Sequence, residues 1–170
     1  MSISRKAFYL FVSFLIIIIA GLIVMFSGIF QKPEETPIAS EDQPLVEEAR
    51  AVIEKFNQIY IVKTEEEFKT IIQDTWLNAD DVMETMLDLF NEVKESGYVG
   101  LDIRFSDEAI ERAESGDAFM YTSTIQLKIT KEDGMFDEYE LEAEYYFKKA
   151  SDGSYKLEEI KTINRSTMPL

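Results

Sequence analysis

Four glutamates at alternate positions, Glu138, Glu140, Glu142 and Glu144, are the densest set of reactive groups in this 170-residue chain. On a strand, a spacing of two sends all four side chains to one face. In line they repel one another, which would favour a divalent cation or a basic partner. Side chains two apart on a strand stand about 6.6–7 Å from each other, too far for compact calcium coordination. Lys128 and Lys156 on flanking strands would balance the charge. The expectation is an acidic sheet face open to water that could serve as a docking surface.

Other groups are weaker candidates. Asp80, Glu84 and Asp88 recur every four residues, which places them on one exposed ridge of a helix. General acid–base work needs such a group buried beside a partner. Asp102 and Arg104 share the polar face of a strand, where they read as a surface ion pair. Trp76, Phe90, Tyr121, Tyr139, Tyr145, Phe147 and Tyr155 have the spacing to line a mixed apolar and polar pocket, or simply to fill a core. The chain has no histidine and no cysteine. That removes imidazole and thiolate chemistry, disulfides and zinc sites built from those ligands. No phosphate loop, serine elbow or EF-hand spacing is present, and no cofactor is expected. The formal charge of −16, from 17 basic and 33 acidic side chains, disfavours nucleic acid, whose binding rests on phosphate neutralisation.

These groups are carried by two unlike materials. Residues 1–30 hold Arg5 and Lys6 and no acid, so the remainder carries 15 basic against 33 acidic side chains. Residues 7–30 run for 24 positions without a charge. A helix of that length spans roughly 36 Å, enough for a bilayer core of about 30 Å. The apolar run is too long for a signal peptide, whose core is about 7–15 residues. A single-pass anchor is therefore expected, in contact with membrane lipid through residues 7–30. Arg5 and Lys6 put residues 1–6 in the cytoplasm and the rest outside it. Ser13, Ala20, Gly21, Ser27 and Gly28 form a small-residue stripe that would let two such helices pair. Residues 31–44 hold three of the four prolines and four acids, the composition of an extended linker.

Residues 45–164 read as an α+β domain, followed by a tail over 165–170. Spacings of three and four from Leu45 to Tyr60 predict a first helix. Thr64 with Glu67 is a capping box opening a second, with Phe68, Ile71, Ile72 and Trp76 inward. Asn78 caps a third, with Val82, Met83, Met86, Leu87, Phe90 and Val93 inward. The period then changes to two. Residues 98–105 form a strand with Val99, Leu101, Ile103 and Phe105 on one face, and 106–114 a short helix. Strands over 118–131, 136–149 and 154–164 follow, with hairpin turns at Asp133-Gly134 and Asp152-Gly153. A phase shift at Ile160 predicts a bulge. The order α-α-α-β-α-β-β-β predicts helices packed on a curved antiparallel sheet.

That order, the long hairpin 118–149 and the closing segment SDGSYKLEEIKTIN resemble the NTF2-like (cystatin-like α+β cone) superfamily. The resemblance implies a cone whose mouth can hold a small apolar ligand, or a sheet that dimerises. Enzymes of that superfamily use an acid with Tyr, His or Arg in the pocket. An anchor, a linker and an outer domain of this type also resemble assembly factors of conjugation and type IV secretion. The leading expectation is a non-enzymatic, membrane-anchored interaction module of a bacterial cell-envelope complex, with a protein partner or a second copy. The alternative is a sensor that binds a small ligand in the cone. An enzyme would need an acid facing the apolar side of the sheet, and the expected registers place none there.

Overall fold

The computed structural model describes residues 38–167. The expected anchor, linker start and pairing stripe (Ser13, Ala20, Gly21, Ser27, Gly28) lie outside the described residues. Within them, no helix is long and apolar enough to cross a membrane.

Three helices precede one four-stranded antiparallel sheet in the order β1-β2-β3-β4. Helix α1 is Gln43–Asn57, with Pro44 in its first turn, where a missing N–H removes no internal bond. It buries Val46, Ala49 and Ile53 and passes into a 3-10 turn, Gln58–Tyr60. Helix α2 is Glu65–Thr75. The Thr64 hydroxyl accepts from the Glu67 amide at 3.2 Å and donates to its carboxylate at 2.9 Å. Three glutamates in its first turn face the positive end of the helix dipole. Helix α3 is Ala79–Glu95. The Asn78 side chain, expected as its cap, makes no capping bond; the Asn78 carbonyl instead accepts from the Asp81 amide. Of the six residues expected inward on α3, only Phe90 and Val93 are buried, and the other four are partly covered. Gly97, at φ +68°, ends the helix in the left-handed region.

The strands are β1 Tyr98–Arg112, β2 Ala118–Lys131, β3 Phe136–Lys149 and β4 Tyr155–Thr167. The hairpin turns stand where the Asp-Gly pairs predict, with Gly134 and Gly153 at positive φ. Asp133 and Asp152 each accept from the amide two residues on, at 2.9 Å. The helices cover the face presenting Phe119, Tyr121, Ser123, Ile125, Leu127 and Ile129 of β2 and Ala143, Tyr145 and Phe147 of β3.

Two expectations are corrected. Residues 106–112 are not a helix: they continue β1 and pair with β2 as far as Arg112–Phe119. Ladder bonds to β2 outweigh the weak helical preference of the Ser-Asp-Glu start. Val99 does not share the inner face of β1. It is an extra residue between the Tyr98–Lys131 and Gly100–Thr130 pairs, and 46 % exposed. The bulge expected near Ile160 is present, with Glu158 as the extra residue, and a second one falls at Ile163. Each bulge exchanges the faces of the residues beyond it.

Candidate functional site

The aromatic residues divide between the two ends of the covered sheet face. Towards the end where β1 finishes, side-chain volume is high. Phe119 stacks on Phe147 at 4.8 Å and meets Tyr155 edge-on at 4.9 Å, and Phe68 lies 5.0 Å from Phe90. Trp76 crosses to Leu157 of β4 and packs on Phe56, its buried indole N–H having no partner among the described residues. Of the seven residues proposed to line a pocket, Trp76, Phe90, Tyr121, Tyr145 and Phe147 are therefore core. Tyr155 is half-buried, its hydroxyl donating to the Gly116 carbonyl.

At the other end, where β1 starts, the side chains do not fill the space. A cavity of about 340 Å³ lies between the last turns of α3 and the sheet. Tyr139 lines it, alone among those seven. Leu127 and Ile129 of β2 and Leu141 of β3 supply apolar walls, with Leu89 and Val93 of α3 opposite. Polar groups stand around them: Tyr60 from the 3-10 turn, Tyr98 from β1, Thr162 and Arg165 from β4, and Glu92 and Ser96 from α3. Arg165 falls within the expected tail, yet β4 extends through it. The extra residue Ile163 brings Arg165 opposite Leu141, so that Thr162 and Arg165 line the same cavity. The Arg165 guanidinium sits 5.5 Å from the centre of the Tyr139 ring.

The phenols of Tyr60 and Tyr98 are both shifted towards the protonated form. Burial raises the Tyr60 phenol above its ordinary value, against the opposing pull of Arg165. Burial raises Tyr98 as well, helped by its hydrogen bond to Asp137 at 2.6 Å. Asp137 accepts also from Lys131 at 3.2 Å, and these two donors, Tyr98 first, hold its carboxyl below the usual range.

Asp137 and Glu108 are two acids on the covered face, contrary to the expectation of none. Glu108 reaches it because β1 carries an extra residue between the Ser106–Thr124 and Ala109–Thr122 pairs. Asp107 takes φ +53° there, a conformation that Asp tolerates better than most side chains. Glu108 is 10 % exposed and accepts from Arg50 Nε at 2.6 Å, from a second Arg50 nitrogen and from the Tyr121 hydroxyl. Burial pushes its carboxyl up, but the bonds from Arg50 and Tyr121 outweigh this and leave it lowered. An acid held in that way is ionised, with both of its oxygens bonded. It clamps α1 to β1.

The remaining candidates stay apart from the cavity. Glu138, Glu140, Glu142 and Glu144 project from the uncovered face of β3. Lys128 lies 3.8 Å from Glu138, Gln126 donates to Glu140 at 3.2 Å, and Tyr146 donates to Glu144 at 2.6 Å. Lys156, expected to balance this row, instead donates to the Gln73 carbonyl at the end of α2. Among the described residues, no group of three or more carboxylates is placed to hold a metal ion. Asp80, Glu84 and Asp88 are exposed. Asp102 and Arg104 form an exposed pair at 3.6 Å.

No family model matches the chain, and no curated protein matches it. Among solved structures, a de novo β-sheet design protein aligns with a TM-score of 0.41 at 15 % identity, over 75 % of this chain and 93 % of that one. The intermembrane-space region of the chloroplast protein ARC6 aligns at 0.43 and 12 %, over 67 % and 92 %. A hexachlorocyclohexane dehydrochlorinase (LinA) type 2 aligns at 0.41 and 16 %, over 76 % and 94 %. Likenesses this distant fix neither family nor activity.

Proposed function

We propose that this chain is a membrane-tethered binding domain that holds a small amphipathic molecule between α3 and the sheet. The cavity is the observation that carries the reading. At about 340 Å³ it falls within the ordinary range of ligand sites, about 300–1,000 Å³. It joins apolar walls to a rim of hydroxyls, one guanidinium (Arg165) and one carboxylate (Glu92). Residues 7–30 would supply the tether, with the domain outside the cytoplasm. The role is binding rather than catalysis: Glu108 and Asp137 are each tied to two donor residues, and Glu92, the acid that lines the cavity, is exposed to water rather than buried beside a partner. The alternative reading, a protein-assembly module, would use the row of glutamates on the outer sheet face. That row meets Lys128, Gln126 and Tyr146 of its own sheet, so the cavity is the better supported site.

The test is a titration of the methyl-labelled chain in nanodiscs with hexanol, followed by NMR. Saturable shifts at the Leu127, Ile129 and Leu141 methyls are expected, and Leu89→Trp should abolish them by filling the space. Shifts that never saturate, or that spread evenly over the domain, would overturn the proposal.

A further inference from the structure

We infer that the molecule held in this cavity carries a monoanionic head group, docked between Arg165 of β4 and the hydroxyl of Tyr60. The inference deepens the binding proposal and rests on it. Its first support is the pairing of arginines. In a chain with an excess of 16 negative charges, cations are readily consumed by carboxylates. Arg50 meets Glu108, Arg104 meets Asp102 and Arg112 meets Asp42. Arg165, the remaining arginine of the described residues, forms no ion pair among them. It lies at the cavity rim beside the Tyr139 ring, its fork of N–H donors making no hydrogen bond among the described residues.

The second support is the polarity of the opposite wall. Tyr60 comes from the 3-10 turn and lines the same cavity as Arg165. Burial keeps that phenol protonated, so it enters the site as a donor. The Tyr98 hydroxyl is already committed to Asp137. A guanidinium and a phenol converging from two walls suit an acceptor with negative charge, such as a carboxylate. They disfavour an ammonium head, which Arg165 would repel, and give an alcohol only a neutral bond. Glu92 and Arg165 both stand exposed at the rim, so water screens the carboxylate's repulsion of an anion as much as the guanidinium's long-range pull, and the directed N–H bonds of Arg165 set the preference. The apolar walls then take the body of the ligand.

The experiment compares hexanoate, hexanol and hexylammonium as probes of the full chain in zwitterionic nanodiscs, by the same methyl titration. Hexanoate should bind at least about tenfold more tightly than hexanol, the effect of a hydrogen bond to a charged group. Arg165→Gln should remove that preference while hexanol binding persists, which also shows that the variant is folded. Arg104→Gln should change neither affinity. Equal binding of hexanoate and hexanol, a preference for hexylammonium, or a hexanoate preference that survives Arg165→Gln would overturn the anionic head and leave the cavity proposal standing. Failure of both hexanol and hexanoate to bind would overturn both.

Discussion

Replacing Glu108 by glutamine separates a structural carboxylate from a catalytic one. In the folded chain this side chain is 10 % exposed and accepts from Arg50 and Tyr121. Hydrogen bonds to charged groups contribute about 1.5–3 kcal/mol each. The amide keeps one acceptor, and Arg50, whose side chain is 38 % exposed, regains water. The net loss at pH 7 should be about 2 kcal/mol. Its pH dependence has a definite sign. The folded carboxyl lies below its ordinary value, so its stabilisation is complete above the unfolded pKa. It fades as pH falls through the folded pKa. Urea unfolding followed by the single tryptophan, Trp76, reads this directly. The stability gap between the parent chain and the Glu108→Gln variant should be present at pH 7 and close in strong acid. A gap that stays constant into acid would refute the ionised clamp. So would a parent chain that gains stability relative to the variant as pH falls from 7 to 5, as a raised, proton-carrying carboxyl requires.

Thr64→Ala removes the cap of α2 and should destabilise the domain by about 1 kcal/mol, measured by the same unfolding curves. Gly153→Ala should cost about 1–2 kcal/mol. The residue sits at φ +90° with nothing within 4 Å of an added Cβ, so the whole loss is conformational. Full-length chain should remain in the membrane pellet after carbonate extraction, and a chain lacking residues 7–30 should be released. Equal release of both would remove the proposed tether.

Much of the architecture is legible in the sequence because local signals agree. Strands β2 and β3 have the bounds that alternation and the Asp-Gly turns predict, and Thr64 with Glu67 opens α2 as the capping pattern requires. The departures share a cause. Bulges at Val99, Asp107–Glu108 and Ile163 each insert a residue and reverse the faces beyond, and pairing with a neighbouring strand decides their positions. Residues 106–112 therefore read as a helix, Glu108 escapes notice as an inward acid, and Arg165 reads as part of a tail. Asp137 is a different case, since it shares the parity of Tyr139 and Leu141 and is legible in β3. The aromatic set falls on the covered face as its spacing predicts, but a cavity is a local deficit of side-chain volume. No spacing rule distinguishes Tyr139, which lines it, from Tyr145, which is sealed in the core further along the same strand.

Photolabelling tests the central claim most directly. A medium-chain carboxylate bearing a diazirine near its tail, irradiated with the full chain in nanodiscs, marks whatever surrounds its apolar body. Adducts should concentrate on Leu89, Val93, Leu127, Ile129 and Leu141, and excess hexanoate should suppress them. Labelling confined to residues 7–30, or scattered over the domain and indifferent to competitor, would contradict a ligand held between α3 and the sheet.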